Sequence, residues 1–168
     1  MIEPIGPSDE ATIAAQLGRT PRGMAGVAWR CPCGKPGVVA THPALPDGTP
    51  FPTTYYLTCP RAVAACSTLE AEGVMREMAD RLAHDPDLAR AYACAHEAYL
   101  ADRRALSGDL RVPQIDGVSA GGMPDRVKCL HALAAHALAA GPGVNPLGDE
   151  TVALLGEFWR RPCLREER

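Results

Sequence analysis

The sequence lacks three features that would assign it to a membrane, to secretion or to nucleic acid. No stretch approaches the roughly 18 apolar residues that a bilayer-spanning helix needs. The opening MIEPIGPSDE is acidic and has no basic-then-apolar signal pattern. The formal net charge is -3, so no basic nucleic-acid-binding surface is expected. These absences favour a cytoplasmic protein that neither spans a membrane nor binds nucleic acid.

Internal repeats and low-complexity tracts are also absent, and 168 residues match the usual size of one domain. The 46% hydrophobic and 22% charged content is typical of a globular chain. The residues from about 162 to 168 are strongly charged and predict a short flexible tail. We therefore expect a single domain over residues 1–168.

Cysteine, by contrast, is abundant, with seven residues in the chain. The reducing conditions of the cytoplasm disfavour a disulfide framework, and an odd number leaves at least one thiol unpaired in any case. The cysteines therefore indicate free thiols, metal binding or redox chemistry.

Turn and proline signals divide most of the chain into strands followed by helices. The turn residues of CGKPG predict a hairpin, and the β-branched and aromatic residues of TTYYLT predict a third strand. Helix formers dominate after residue 60. The expected strands are 26–31, 37–42 and 53–58, and the expected helices are 9–18, 61–73, 74–85, 85–106, 124–140 and 150–161. This order predicts a mainly helical α+β fold with a small N-terminal antiparallel sheet.

Three cysteines have settings that suggest no site. Cys66 and Cys94 lie among alanines in predicted helices, where a cysteine usually serves as a small buried residue. Cys163 lies near the charged end of the chain, and we assign it no role.

The other four cysteines are candidates for a metal site. Cys31, Cys33 and Cys59 lie at the ends of predicted strands, where turns hold side chains firmly, and Cys129 lies on a predicted helix. If that helix crosses the strand ends, Cys31, Cys59 and Cys129 would meet. Three thiolates with one further cysteine or histidine form a tetrahedral zinc site. An iron–sulfur cluster is the alternative, although the spacing lacks the compact C-x₂-C-x₂-C run.

Two residues could supply the fourth ligand, and helix geometry favours Cys33 over His131. On a regular helix His131 points away from Cys129, so it could join only if the first turn is irregular. His136 shares a face with Cys129 but lies about 10.5 Å along the axis, which suits a core residue better than a ligand.

Basic residues near these cysteines suggest two further roles. Arg30, Arg126 and Lys128 could form an anion-binding pocket beside the thiolates. Nearby cations also lower thiol pKa values, so Cys129 is a candidate nucleophile with His131 as a candidate base.

The motifs RCPCG, LPDGTPFPTTYYLTCP, LEAEG and GGMPDRVKCLHALAAHALAAGPGVNPLGD resemble a bacterial family known as domain of unknown function 501. The resemblance covers about residues 10–155. It implies an association with cell division, because genes of this family often neighbour that of a septum-formation initiator protein, and it implies no reaction. The matching motif positions are Arg30, Cys31, Thr58, Cys59, Lys128, Cys129, His131, His136, Asn145, Pro146 and Gly148.

Three functional hypotheses follow from these observations. The first is a metal-binding protein, with zinc favoured over iron–sulfur, that binds or acts on an anionic ligand. The second is a metal-free interaction module with a cell-division partner. The third is a metal-free thiol enzyme that uses Cys129.

Overall fold

A computed structural model of the protein describes residues 2–164. Within these residues it contains a three-stranded antiparallel sheet and six α-helices, which confirms the predicted α+β fold. Residues 165–168 of the predicted flexible tail lie outside the described part. The strands are β1 (Met24–Arg30), β2 (Pro36–Thr41) and β3 (Tyr55–Leu57), and the helices are α1 (Pro7–Leu17), α2 (Pro60–Ala71), α3 (Val74–His84), α4 (Pro86–Ser107), α5 (Leu130–Ala140) and α6 (Pro146–Leu154).

Strand β2 lies at the centre of the sheet, between β1 and β3. Val39 pairs with Val27 of β1 on one side and with Tyr56 of β3 on the other. All six residues of β2 are buried, as expected for a strand whose two faces are both covered. The turn from β1 to β2 and the C-terminal end of β3 therefore lie at the same end of the sheet.

Helix α5 is the central helix of the fold. It packs against β3, α2 and α6, and its sequence LHALAAHALAA is apolar around most of its circumference. A helix with apolar residues on all faces must be buried, and Leu130, Leu133 and Ala134 are fully inaccessible to solvent. The start of α5 is therefore held firmly against α2.

Helix α4 fixes two loops that lead to this centre. The hydroxyl of Tyr99 accepts a hydrogen bond from the backbone N–H of Thr54 at 2.6 Å. The hydroxyl of Tyr92 donates to the carbonyl of Arg126 at 3.0 Å. Buried Arg103 donates to the carbonyl of Ile115 at 3.0 Å. The long segment between α4 and α5 is thus anchored just before Cys129.

The helix predicted over residues 124–140 begins later, at Leu130. The preceding residues form a tight loop in which the Lys128 N–H donates to the Gly121 carbonyl at 2.7 Å. Gly121 has φ +70°, and a Cβ added there would lie 2.6 Å from a methyl carbon of Leu133. The glycine therefore permits a close loop that replaces the first predicted helical turns.

The last predicted helix, 150–161, is displaced toward the N-terminus as α6. Asn145 caps it by accepting the Gly148 N–H at 2.9 Å, and Pro146 occupies the first turn. The third strand is also shorter than predicted. Among residues 2–164, none of the helices has the length and apolar character that crossing a bilayer would require.

Candidate functional site

Each end of α2 carries a group of potential metal ligands. At its N-terminal end lie Cys31, Cys33, Cys59 and Cys163, which we call the sulfur cluster. Toward its C-terminal end Glu70 meets Cys129 and His131, which we call the mixed cluster. The two groups differ in donor atoms, burial and electrostatics.

The mixed cluster brings three different donor atoms together. One ligand atom from each of Glu70, Cys129 and His131 lies within 4.8 Å of the others. Glu70 Oε1 is 3.1 Å from His131 Nδ1, and Cys129 Sγ is 3.9 Å from the same nitrogen. The Leu130 N–H donates to Glu70 Oε1 at 2.8 Å, which holds the carboxylate at the start of α5.

The second nitrogen of His131 fixes the orientation of the ring. Nε2 lies 3.1 Å from the carbonyl oxygen of Val63 and 3.3 Å from the hydroxyl of Ser67. A carbonyl oxygen only accepts hydrogen bonds, so Nε2 carries the proton that is donated to Val63. Nδ1 is therefore the nitrogen that faces Glu70 and Cys129.

The local charges favour ionised forms in the mixed cluster. The hydrogen bond with Cys129, helped by the charge of Glu70 and opposed by burial, raises the pKa of His131 to about 9. Burial acts to raise the pKa of Cys129, but the hydrogen bonds from His131 and from the Ala132 amide, together with the charge of His131, outweigh it and the net shift is downward. Neighbouring Cys66 behaves differently, because burial raises its pKa to about 12.

The irregular start of α5 explains why Cys129 and His131 can meet. Cys129 is the N-cap residue, with the extended angles φ −158° and ψ 108°, and it lies outside the helix. Two positions on a regular helix would diverge by about 200°. The extended residue removes that constraint, so the first-turn irregularity that the sequence analysis required for His131 is present.

The sulfur cluster forms around the edge of the sheet. The Gly34 N–H donates to the Cys31 carbonyl at 2.8 Å and the Cys31 N–H to the Lys35 carbonyl at 2.9 Å, which closes the turn between β1 and β2. The Cys59 N–H faces the Gly37 carbonyl at 3.4 Å, which places the start of α2 beside that turn.

The fourth cysteine arrives from the far end of the described chain. Gln16 Nε2 donates to Cys163 Sγ at 3.5 Å and to the Pro36 carbonyl at 2.8 Å. Arg61 donates to the Pro162 carbonyl at 3.3 Å. These contacts bind the C-terminal segment to both the hairpin and the first turn of α2.

Burial and mutual contacts set the pKa values in the sulfur cluster. Burial raises the pKa of Cys31 to about 12 and raises that of Cys163. For the exposed Cys33, a hydrogen bond from the Lys35 amide and contacts with the Cys31 and Cys163 thiols outweigh the effect of burial and lower the pKa.

The structure divides the predicted metal ligands between the two clusters. Cys31, Cys33 and Cys59 come together, whereas Cys129 lies with His131 near the other end of α2. Eleven positions separate Cys59 from Glu70, which corresponds to about 16 Å of helix axis. The predicted set of Cys31, Cys59 and Cys129 therefore does not converge on one point, because α5 begins beside the C-terminal part of α2.

The three residues of the predicted anion pocket also occupy different surroundings. Arg30 forms ion pairs with Glu3 at 2.6 Å and with Asp9 at 2.8 Å, so its guanidinium is engaged by carboxylates. Arg126 and Lys128 are exposed in the loop that leads to the mixed cluster. Only these two cations adjoin Cys129 in the chain.

The remaining sequence candidates are core and surface residues. His136 is fully buried, with Nδ1 3.1 Å from Asn145 Nδ2, and its ring stacks on Tyr55 with centroids 5.9 Å apart. Cys66 is buried as expected, but Cys94 is exposed, because its side of α4 faces solvent rather than the core.

Two members of the clusters were missed by the sequence analysis. Glu70 lies within LEAEG, where its acidic neighbour Glu72 offers an equally plausible ligand. Cys163 follows a proline, and Cys31 and Cys59 each precede one. This shared proline neighbour was the available signal for Cys163, although it does not reveal which cysteines meet.

Comparisons with known proteins place the chain in a family. No curated protein and no solved structure matches it significantly. A family model described as "Protein of unknown function (DUF501)" matches residues 27–153, which include every cluster residue except Cys163. The chain therefore belongs to the DUF501 family.

Proposed function

We propose that this protein binds a divalent transition metal, zinc in preference to others, at the mixed cluster of Glu70, Cys129 and His131. The observation that carries the proposal is the convergence of three donor atoms within 4.8 Å. A thiolate, an imidazole nitrogen and a carboxylate oxygen are all donors that zinc accepts. A single thiolate makes this cluster a poor ligand set for an iron–sulfur centre.

The orientation of His131 supports this proposal independently. Metal-binding histidines usually donate their second ring N–H to a carbonyl or carboxylate, which fixes the tautomer. The Nε2 contact with Val63 at 3.1 Å provides that arrangement and leaves Nδ1 directed at the two other donors. Metal binding would displace the protons of Cys129 and of His131 Nδ1.

The number of donors suggests that the site binds a further ligand. Three protein ligands leave one tetrahedral position for water or a substrate, as in catalytic zinc sites. The side chains of Glu70 and His131 are 24% and 26% exposed, so the cluster is reachable from solvent. Arg126 and Lys128 stand in the preceding loop and favour an anionic ligand. A zinc-bound water at such a position would supply a nucleophile for hydrolysis.

Metal analysis of protein purified under reducing, anaerobic conditions tests the proposal. We expect Cys129→Ser and Glu70→Gln each to lose one zinc equivalent relative to the natural sequence. Cys94→Ser is the matched control, because Cys94 is an exposed cysteine that belongs to neither cluster. Equal metal content in all of these proteins would refute the proposal.

A second candidate is a metal-free thiol enzyme with Cys129 as the nucleophile. The contact of 3.9 Å between Cys129 Sγ and His131 Nδ1, together with the half-buried thiol, supports it. Fast alkylation of Cys129 in protein that binds no metal would favour this function. If metal is absent and alkylation is slow, the interaction module with a cell-division partner becomes the better hypothesis.

A further inference from the structure

The sulfur cluster is separate from the mixed cluster and has its own chemistry. Its thiols come from three parts of the chain: the turn after β1, the start of α2, and the segment after α6. Cys31, Cys59 and Cys163 are 2%, 0% and 9% exposed. The exposed Cys33 thiol contacts the thiols of Cys31 and Cys163, and Cys59 lies near those two.

The hairpin turn brings two of the sulfurs close to each other. Cys31 and Cys33 are two positions apart, and their side chains are in mutual contact. The Gly34 N–H donates to the Cys31 carbonyl at 2.8 Å and the Cys31 N–H to the Lys35 carbonyl at 2.9 Å, which closes the turn around them. The tight turn therefore holds two potential metal ligands side by side.

The other two sulfurs are held at the same edge by independent contacts. Cys59 is the N-cap residue of α2 and is fully buried. Its backbone lies against Gly37, whose ideal Cβ position is in turn 3.6 Å from the Cys31 nitrogen. Cys163 is fixed from the opposite side by Gln16, which also bonds to Pro36.

We propose that Cys31, Cys33, Cys59 and Cys163 together bind one zinc ion as a closed tetrathiolate site, which joins the β1–β2 turn, α2 and the C-terminal segment. Four thiolates are a standard structural zinc set, and a closed site stabilises the fold rather than binding substrate. Zinc binding releases the thiol protons and leaves every sulfur in its reduced state. This site is additional to the mixed cluster and does not depend on it.

Stoichiometry separates the two sites. In protein purified under reducing, anaerobic conditions we expect two zinc ions per chain, and one in Cys33→Ser, in Cys163→Ser and in Cys129→Ser. Because Cys33 is exposed, its replacement should leave the packing of the core unchanged, and Cys94→Ser should retain both ions. Retention of the full metal content in both Cys33→Ser and Cys163→Ser would overturn the proposal.

X-ray absorption of the metal in Cys129→Ser provides the second measurement, because that variant should hold only the sulfur-cluster ion. We expect four sulfur neighbours at about 2.3 Å from zinc. Nitrogen or oxygen neighbours, iron in place of zinc, or a disulfide between two of the four cysteines would each overturn the assignment. If Cys129→Ser retains all of the metal and Cys33→Ser loses it, the sulfur site stands and the mixed-cluster proposal fails.

Discussion

The two ends of α2 offer the same kind of atom, a cysteine sulfur, in two different environments. At the N-terminal end four cysteines from three parts of the chain lie near one another, and three of them are buried. At the other end one sulfur joins a nitrogen and an oxygen, and two of these side chains are about a quarter exposed. Closed sulfur sites stabilise folds, whereas incomplete mixed sites leave room for a ligand. If both proposed sites bind zinc, one helix carries a structural site at one end and a ligand-binding site at the other.

The largest expected effect concerns stability at the sulfur end. Removal of zinc by a chelator should lower the free energy of unfolding of the natural protein by about 4 kcal/mol, for free zinc about 1,000-fold above its Kd. Urea unfolding with and without chelator measures this loss. In Cys129→Ser the loss should remain about 4 kcal/mol, because the sulfur-cluster ion is still removed, and in Cys33→Ser it should fall to the smaller contribution of the mixed-cluster ion. If Cys33→Ser instead kept most of the stability loss and Cys129→Ser did not, the mixed cluster would be the structural site.

A smaller effect on stability comes from His136, which belongs to neither cluster. Its dependence on pH must be measured apart from the protonation of the metal-binding cysteines and of His131. Burial lowers the pKa of His136 to about 4 from an ordinary value of 6.5, against the opposing charges of Asp102 and Asp149. Its folded form binds fewer protons, so its contribution to stability is complete above pH 6.5 and is lost as the pH falls toward 4. The loss should be about 3 kcal/mol.

Urea unfolding at several pH values, with chelator present so that neither metal site contributes, tests the role of His136. His136→Gln should lower stability at pH 7 but flatten the dependence between pH 6.5 and 4. An unchanged slope in the variant would show that other groups cause the acid sensitivity.

The smallest expected effect concerns the support of His131 at the mixed end. Ser67→Ala removes the hydroxyl 3.3 Å from Nε2 and should weaken zinc binding there about tenfold, with stability changed by less than about 0.5 kcal/mol. Thr68→Ala is a matched control, because that hydroxyl donates to the Ala64 carbonyl of its own helix and belongs to neither cluster. Competition with a zinc-binding dye measures the affinities. Equal zinc affinities in the two variants would show that the Ser67 hydroxyl does not help to orient His131.

Local signals were sufficient to predict most of the fold. The hairpin, the third strand and the helices from α2 to α4 follow from turn residues, prolines and helix formers, each of which acts within a few positions. The start of α5 did not follow from them. Pro124 and Asp125 have the composition of a helix start, but the hydrogen bond from Lys128 to Gly121 stabilises a loop instead.

The membership of the two clusters was harder to predict from the sequence than the fold was. The settings of Cys31, Cys33 and Cys59 at strand ends are local, and the sequence identified them as candidates. The position of Cys129 depends on which end of α2 the start of α5 contacts, which is a matter of tertiary packing. Glu70 and Cys163 join their clusters across 59 and 104 or more residues respectively, so no spacing rule could have assigned them.

The family match ends at residue 153, ten positions before Cys163. If the sulfur cluster binds zinc as proposed, the shared region supplies three of the four sulfurs and the fourth comes from the sequence that follows it. A chain shortened after Leu155 would then keep Cys31, Cys33 and Cys59 but leave one coordination position open to solvent. The bound zinc should exchange faster with the solution in such a chain than in the full one.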